Sequence, residues 1–348
     1  MTITSTASST ITRLDSLTGI RTIAVALVFW HHGNEYSDDW ASSGMVGVSL
    51  FYMLSGFVMA WTDRKGDTAR QFYQRRFARI YPSYLVACIL AFALLVVVDE
   101  FRWSDLAALT LLQAWVPDPS FYFAGNAVFW SLSCEAFFYL IFPLIRGITA
   151  RLNDRRVALL GGFVVLTSFA IAGIGALFPP TEFVQWAVVV FPPSRLPEFI
   201  LGVVLGTLMA RGWRPSVSLL PTFLLAALAV VVAVFAPYAL SRYAVTLLPF
   251  ALLIVALAAA DLRGTPVFTK WRWIVKLGVW SYCFYLIHAM AMWACVKVSV
   301  LLGGGELLGI LSSFFISIVA AWVLHSFIER PAELRLRPAG RVRLDSDA

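Results

Sequence analysis

The chain has 348 residues, of which 60% are hydrophobic and 14% are charged, whereas soluble domains average about 45–50% apolar and about 25% charged residues. With a mean hydropathy of +0.79, this composition excludes an ordinary soluble enzyme and indicates a membrane protein. The net charge of +7 is compatible with a nucleic-acid ligand, but its distribution along the chain points elsewhere.

Ten apolar stretches predict transmembrane helices, each of which needs about 20 mostly apolar residues. They lie at 16–33, 44–61, 82–98, 127–146, 157–178, 191–210, 217–236, 244–260, 277–298 and 307–328. The segment 106–116 is apolar but short and leads into two prolines, which favours an interfacial or re-entrant piece. The predicted fold class is all-α: a polytopic membrane helix bundle of about ten transmembrane helices.

Arginine and lysine positions orient this bundle, because cytoplasmic loops are rich in basic residues. With ten spans and both termini cytosolic, 23 of the 27 basic residues fall on the inner side. The exceptions are Arg102, Arg195, Arg242 and Lys297. Orientation therefore accounts for the positive charge, and no nucleic-acid partner is expected. We expect a disordered cytosolic tail over 1–12, one transmembrane domain over 13–333 and a basic cytosolic tail over 334–348.

The first span carries Arg21 near its cytosolic end and two adjacent histidines, His31 and His32, near the other. At 100° per residue, His32 returns to within about 20° of the face of Arg21, roughly 16 Å along the axis, whereas His31 is turned away by about 80°. Ionisable groups inside a span indicate a functional pathway. Two interfacial side chains that extend toward opposite membrane surfaces explain the spacing equally well.

Metal binding is a weaker interpretation of the same region. Glu35, Asp38 and Asp39 follow the histidines, but neither the HxxxH nor the HExxH spacing occurs. The cysteines form no CxxC motif and predict neither a disulfide framework nor a zinc ribbon. We therefore expect no metal.

The most basic connection, "DRKGDTARQFYQRRFARIYP", places Arg76 and Arg79 at i and i+3 on one face of a short helix that should end before Pro82. Paired guanidinium groups suit a phosphate-rich ligand, although an ordinary cytosolic loop has the same composition.

Further polar groups lie within or beside the spans. Glu135 sits in "FWSLSCEAFFYLIFP" and needs a partner or a proton; a contact with His32 would orient the imidazole. The others are Arg195, Glu198, His288 and Glu329. We favour structural ion pairs or helix-end contacts for Glu198 and Glu329.

Seven short blocks, in order, resemble the acyltransferase-3 family of integral membrane proteins that O-acylate sugars, including O-antigen, exopolysaccharide and Nod-factor acetyltransferases and antibiotic acyltransferases. The blocks are "LTGIRTIAVALVFWHH", "LFYMLSGFVMAW", "FYQRRFARIYPSY", "WSLSCEAFFYLIFPL", "RLPEFILGVVLG", "LGVWSYCFYLIH" and "IERP". The resemblance runs from Leu14 to about Glu333.

This resemblance implies an O-acyltransferase of the bacterial cytoplasmic membrane that moves an acyl group, acetyl first among the candidates, from cytosolic acyl-CoA to a hydroxyl of a polysaccharide, glycolipid or glycosylated metabolite. Acyl-CoA is then a donor substrate and no cofactor is permanently bound. The family's arginine–histidine pattern falls on Arg21 and His32, and its RxxR pattern on Arg76 and Arg79. Monomer and homodimer both fit the sequence.

From these residues we expect His32 to act as general base, since an imidazole with a pKa near ~6.5 suits that task. Direct attack on the thioester and an acyl-histidine intermediate both remain open. Arg76 and Arg79, with Arg75 beside them, are expected to bind the CoA phosphates. Arg21 is expected to bind phosphate or stabilise an oxyanion.

Two other functions fit the pattern of buried polar groups. A proton-coupled transporter or flippase of a glycan would use Arg21, His32, Glu135 and His288 as a relay. A non-catalytic scaffold has no use for a buried arginine and histidine on one face and is disfavoured.

Overall fold

The structure is a computed structural model that describes residues 13–34, 36, 42–63 and 66–336. The predicted tail over 1–12, most of the predicted tail over 334–348, and Glu35, Asp38 and Asp39 lie outside the described residues. The α-helices are α1 (Asp15–Asn34), α2 (Val46–Trp61), α3 (Ala69–Val97), α4 (Pro119–Tyr122), α5 (Trp130–Arg151), α6 (Asp154–Ala176), α7 (Glu182–Gln185), α8 (Pro192–Ala210), α9 (Leu219–Phe235), α10 (Val245–Leu262), α11 (Arg272–Leu301), α12 (Gly305–Leu324) and α13 (Arg330–Leu336). No strand occurs in these ranges, so the all-α prediction is confirmed for them.

Within the described ranges, seven helical stretches are long and apolar enough to cross a membrane. They are 69–97, 130–151, 154–176, 182–210, 240–262, 272–301 and 305–336. The apolar helices α2 and α9 are shorter, with 16 and 17 residues, and α1 carries Arg21 and both histidines within its 20 residues. The protein is therefore a multi-pass membrane helix bundle. The count of ten spans and the cytosolic placement of both termini stay predictions.

The segment between α3 and α5 forms short turns and no spanning helix. It contains 3-10 turns at Trp103–Thr110 and Gln113–Trp115, followed by the single turn of α4. The Asp105 carboxylate accepts hydrogen bonds from the backbone N–H groups of Arg102, at 2.7 Å, and Gly125, at 2.8 Å. These bonds fold the segment back on itself, consistent with the prediction that it does not cross the membrane.

The prediction that a short helix ends before Pro82 is wrong. Helix α3 runs without interruption from Ala69 to Val97 and contains Pro82. Proline removes one backbone donor, here the N–H that would bond to the Ala78 carbonyl, but membrane helices tolerate this loss. The Tyr282 hydroxyl donates to the Ile80 carbonyl at 2.9 Å and joins α11 to this part of α3. Arg76 and Arg79 therefore belong to the same long helix.

Glycines allow α2 and α8 to pack with their backbones close together. A methyl group added at Gly202 would lie 2.1 Å from the Met53 carbonyl oxygen, and one at Gly56 would lie 2.1 Å from the Phe199 carbonyl oxygen. Any larger residue would separate the helices, since small residues set the approach distance of membrane helices.

This contact buries an ion pair within α8. Arg195 and Glu198 are 0% exposed, and the guanidinium donates to both carboxylate oxygens, at 2.6 and 3.2 Å. Arg195 also donates to the Val189 carbonyl and the Ser49 hydroxyl, at 3.1 and 3.0 Å. The predicted structural role of Glu198 is consistent with this geometry.

We expect Glu198→Ala to destabilise the fold strongly, because it leaves the Arg195 guanidinium buried without its counter-ion, which typically costs about 3–5 kcal/mol. The measurement is the thermal unfolding midpoint of detergent-solubilised protein. The matched control is Asp154→Ala, since Asp154 is 67% exposed in its pair with Arg211 and exposed pairs contribute about 0–1 kcal/mol. Equal shifts in both variants would contradict a structural role for the buried pair.

Candidate active site

Two histidines from distant parts of the chain meet between α1 and α11. A methyl group added at Gly278 would lie 2.0 Å from the Thr18 carbonyl oxygen, so the two helices touch through their backbones near one end. Toward the other end, Nε2 of His288 lies 3.3 Å from Nδ1 of His32. We call these two side chains the imidazole pair.

Hydrogen bonds to backbone carbonyls fix which ring nitrogens of the pair carry protons. Nδ1 of His32 is 2.9 Å from the Val28 carbonyl oxygen, and Nδ1 of His288 is 2.8 Å from that of Tyr285. A carbonyl only accepts, so both Nδ1 atoms are the donors. Nε2 of His288 is then left as an acceptor toward Nδ1–H of His32. Nε2 of His32 has no hydrogen-bond partner among residues that the structure describes and keeps its lone pair for an incoming proton.

The two rings differ in their surroundings. His288 is 0% exposed; it stacks on Phe284 with ring centroids 5.8 Å apart and lies 6.3 Å from the Phe29 ring. His32 is only partly buried. A locked inner ring and an accessible outer ring are what a general base and its positioning residue require.

Cavities lie on two sides of His32. A smaller one, about 10 Å³, has room for about one water molecule and is bounded by His31 and His32 and by the apolar residues Val28, Val48 and Trp130. A larger one, about 220 Å³, lies between α3 and α11. His32 contributes to the lining of both, and the larger cavity is the one with room for part of a reactant.

Arginines gather at the other end of α1, about 16 Å from His32 along the helix axis. We define Arg21, Arg76 and Arg79 as the arginine cluster. The Arg21 guanidinium lies over the Phe51 ring at 5.9 Å, and that of Arg76 lies over Phe72 and Tyr139 at 5.4 and 5.6 Å. The positive charge of Arg79 lies close enough to repel the guanidinium groups of Arg21 and Arg76. The structure thus brings together the arginines that the sequence pattern singled out.

The members of this cluster differ in their partners. Across the described ranges, neither Arg21 nor Arg76 forms an ion pair, and Nε of Arg76 is buried without a hydrogen bond. Arg79 donates to Glu333 at 3.3 Å. Arg75, which sequence reasoning assigned to the same site, pairs with Asp67 at 2.6 Å. Arg21 and Arg76 are therefore the guanidinium groups best placed for an anionic ligand.

The predicted contact between Glu135 and His32 is not formed. Glu135 instead accepts a hydrogen bond from Ser55 at 3.4 Å and a short one from Tyr139. Its carboxylate attracts the guanidinium groups of Arg21 and Arg76. Helix α5 turns this carboxylate toward the arginine cluster, and His288 occupies the position beside His32 that Glu135 was expected to fill.

One group of side chains has metal-ligand chemistry. Ligand atoms of Cys283, His325 and Glu329 lie within 4.8 Å of one another. Both Nδ1 of His325, at 2.9 Å, and Sγ of Cys283, at 3.0 Å, hydrogen-bond to the same oxygen of Glu329. The Arg79 charge also acts on Glu329. These hydrogen bonds satisfy the Glu329 carboxylate, and the positive charge of Arg79 disfavours the binding of a metal cation.

Sequence reasoning noted His288 as a polar group within a span but did not place it beside His32. The partners of Glu135, Ser55 and Tyr139, were also missed. The motif "SYCFYLIH" held the signal for His288, but helical phase within α11 does not tell which helix its histidine faces.

Comparison with known proteins gives four findings. The sequence model of the acyltransferase-3 family, described as an acyltransferase domain, matches residues 14–326. The chain is 32% identical to acyltransferase MdmB of Streptomyces mycarofaciens over 96% of this chain and 94% of that protein. It is 28% identical to O-acetyltransferase OatA of Staphylococcus aureus over 38% of this chain and 24% of that protein. No solved structure matches the chain.

We expect diethyl pyrocarbonate to modify His32 much faster than His288, because the reagent needs an accessible unprotonated nitrogen. Nε2 of His32 meets that condition, whereas the His288 ring is fully enclosed. Peptide mass spectrometry of detergent-solubilised protein, sampled over time, measures the two rates. His32→Ala protein should lose the fast modification at this peptide. Equal rates at both histidines would contradict the proposed exposure of Nε2.

Proposed function

Because the chain belongs to the acyltransferase-3 family, we propose that it is a membrane O-acyltransferase that moves an acyl group, acetyl first among the candidates, from acyl-CoA to a sugar hydroxyl. The observation that carries this proposal is the orientation of His32. Its Nδ1–H is held by Val28 and His288, and its side chain contributes to the lining of both cavities.

The proposed topology has ten spans, made by α1, α2, α3, α5, α6, α8, α9, α10, α11 and α12, with both termini in the cytosol of a bacterium. Helix α1 then carries Arg21 at the cytosolic end and His32 in the outer half of the cytoplasmic membrane. The basic residues of the α2–α3 connection fit the same orientation. Donor and acceptor would approach the reaction centre from opposite membrane surfaces.

We assign the arginine cluster to the CoA phosphates. Guanidinium groups form strong charge-assisted hydrogen bonds with phosphate, and Arg21 and Arg76 have no competing ion pair within the described part of the chain. The separation of about 16 Å between Arg21 and His32 is one that an extended pantetheine arm can bridge. It also favours phosphate binding over oxyanion stabilisation for Arg21, since the reacting carbonyl would lie beside His32.

The reaction follows from the protonation state of the imidazole pair. Nε2 of His32 accepts the proton of the acceptor hydroxyl while the hydroxyl oxygen attacks the thioester carbonyl. The C–S bond then breaks, and the imidazolium returns its proton to the CoA thiolate. His288 acts as a positioning residue, because Nε2 of its ring accepts from Nδ1–H of His32 and thereby keeps Nε2 of His32 free.

One further residue is assigned a supporting role. Glu135 is assigned to the arginine cluster, where its charge balances Arg21 and Arg76 and where it accepts hydrogen bonds from Ser55 and Tyr139.

Mass spectrometry of glycans, glycolipids and glycosylated metabolites from wild-type and deletion strains tests the proposed activity. We expect an acyl mass increment that disappears on deletion and returns with the wild-type gene. A transporter would change the location of a glycan without adding this mass, so unchanged acylation in the deletion strain would overturn the proposal and favour the transporter.

We expect His32→Ala to abolish acyl transfer while the protein still inserts and accumulates, because the general base is lost. The matched variant His31→Ala should retain most activity, since the ring that hydrogen-bonds to His288 is that of His32. Acyl transfer from radiolabelled acetyl-CoA in isolated membranes measures both. Full activity of His32→Ala membranes would contradict the mechanism.

We expect Arg76→Gln to raise the KM for acetyl-CoA about tenfold, because a hydrogen bond to a charged group contributes about 1.5–3 kcal/mol and 1.4 kcal/mol corresponds to a factor of ten. Arg75→Gln is the matched control, since Arg75 is already engaged by Asp67. The KM for acetyl-CoA is measured at saturating acceptor. A larger effect in Arg75→Gln than in Arg76→Gln would contradict the assignment of the phosphate site.

A further inference from the structure

The larger cavity beside His32 has a definite chemical character. It is a cleft of about 220 Å³ between the later turns of α3 and α11, two helices that touch earlier through Tyr282 and Ile80. Its walls include Leu94, Leu95 and Val98 from α3 and Met290, Met292 and Trp293 from α11. The cleft therefore offers long apolar walls on both sides and the imidazole of His32 as a reactive group.

Polar groups of the cleft are few. Besides His32 they include Tyr36, Glu100 and Asn126. The Asn126 amide already donates to the Leu286 carbonyl at 3.2 Å, so its N–H groups are partly committed. A hydrated polysaccharide laid along the Leu, Val and Met side chains would lose water from its hydroxyls without gaining hydrogen bonds, and each unsatisfied hydroxyl is costly.

The side of α3 that faces away from the cleft is also apolar. Val96 and Val97, which follow Leu95 on α3, are 61% and 82% exposed in the isolated chain and lie in a helix long and apolar enough to span a bilayer. The two methionines of α11 are flexible and polarisable, which suits an irregular apolar ligand better than a rigid one. A ligand that partitions into the bilayer would meet the cleft at high local concentration.

We propose that the acceptor is an amphiphilic glycoside, in which a sugar is joined to an apolar body. The apolar body lies against α3 and α11, and one sugar hydroxyl reaches Nε2 of His32. This inference rests on the proposed acyl transfer and adds the class of acceptor. A membrane glycolipid and a small apolar glycoside share this chemistry.

The first test identifies the phase that holds the product. Membranes with wild-type or His32→Ala protein are incubated with radiolabelled acetyl-CoA and one of three host fractions: membrane lipids, apolar small molecules from the culture, or water-soluble polysaccharide. We expect label that depends on His32 to enter butanol in one of the first two arms, and the arm identifies the source. Such label confined to the polysaccharide arm would overturn the inference but leave acyl transfer intact. Absence of His32-dependent label from every arm would contradict the proposed function itself, and the inference with it.

The second test uses the cleft walls. We expect Leu95→Gln and, on the opposite wall, Met290→Gln each to raise the KM for the butanol-soluble acceptor about tenfold, with the KM for acetyl-CoA unchanged. Val96→Gln is the matched control, because Val96 lies on the same helix outside the cleft lining. The unchanged KM for acetyl-CoA reports that each variant is folded. An acceptor KM unaffected in both wall variants, or raised equally by Val96→Gln, would overturn the placement of the apolar body.

Discussion

The hydrogen bond between Nδ1 of His32 and the Val28 carbonyl is the interaction on which the proposed chemistry depends. In a helix, side chains tilt back toward the N-terminus and lie over the preceding turn. A histidine near the end of α1 therefore reaches the carbonyl four residues earlier, and its Nδ1 is driven to carry the proton. The helix itself presents Nε2 outward as a base, and His288 reinforces this tautomer from α11.

The same helix separates this base from the positive charge. If the arginine cluster lay beside His32, its positive charge would oppose the imidazolium that forms when the hydroxyl proton is taken. The two groups are about 16 Å apart along α1, and part of the space between them is filled by aromatic groups: the Phe51 ring lies below the Arg21 guanidinium and 6.3 Å from the Tyr285 ring. A long, flexible donor with phosphates at one end and a thioester at the other is suited to this division.

Features within one helix could be predicted from the sequence, and features between helices could not. The common face of Arg21 and His32 and the i, i+3 pair of Arg195 and Glu198 follow from helical periodicity alone. The contact between His32 and His288 joins residues 256 positions apart and depends on the backbone approach at Gly278, which no single-helix pattern encodes. Glu135 is a second example. A buried carboxylate needs a partner, and the sequence suggested His32, but it does not show that Ser55 and Tyr139 supply the hydrogen bonds.

Pro82 shows why local rules are weaker in this fold than in a soluble one. In water a proline ends many helices, since the freed carbonyl finds solvent and the chain can turn away. Within a bilayer, leaving the helix would expose several unpaired backbone groups to hydrocarbon, which costs more than one missing hydrogen bond. Helix α3 accordingly continues through Pro82 to Val97. That continuation carries the apolar wall of the cleft on the same helix as Arg76 and Arg79, and one helix thereby links the proposed donor end of the site to the proposed acceptor end.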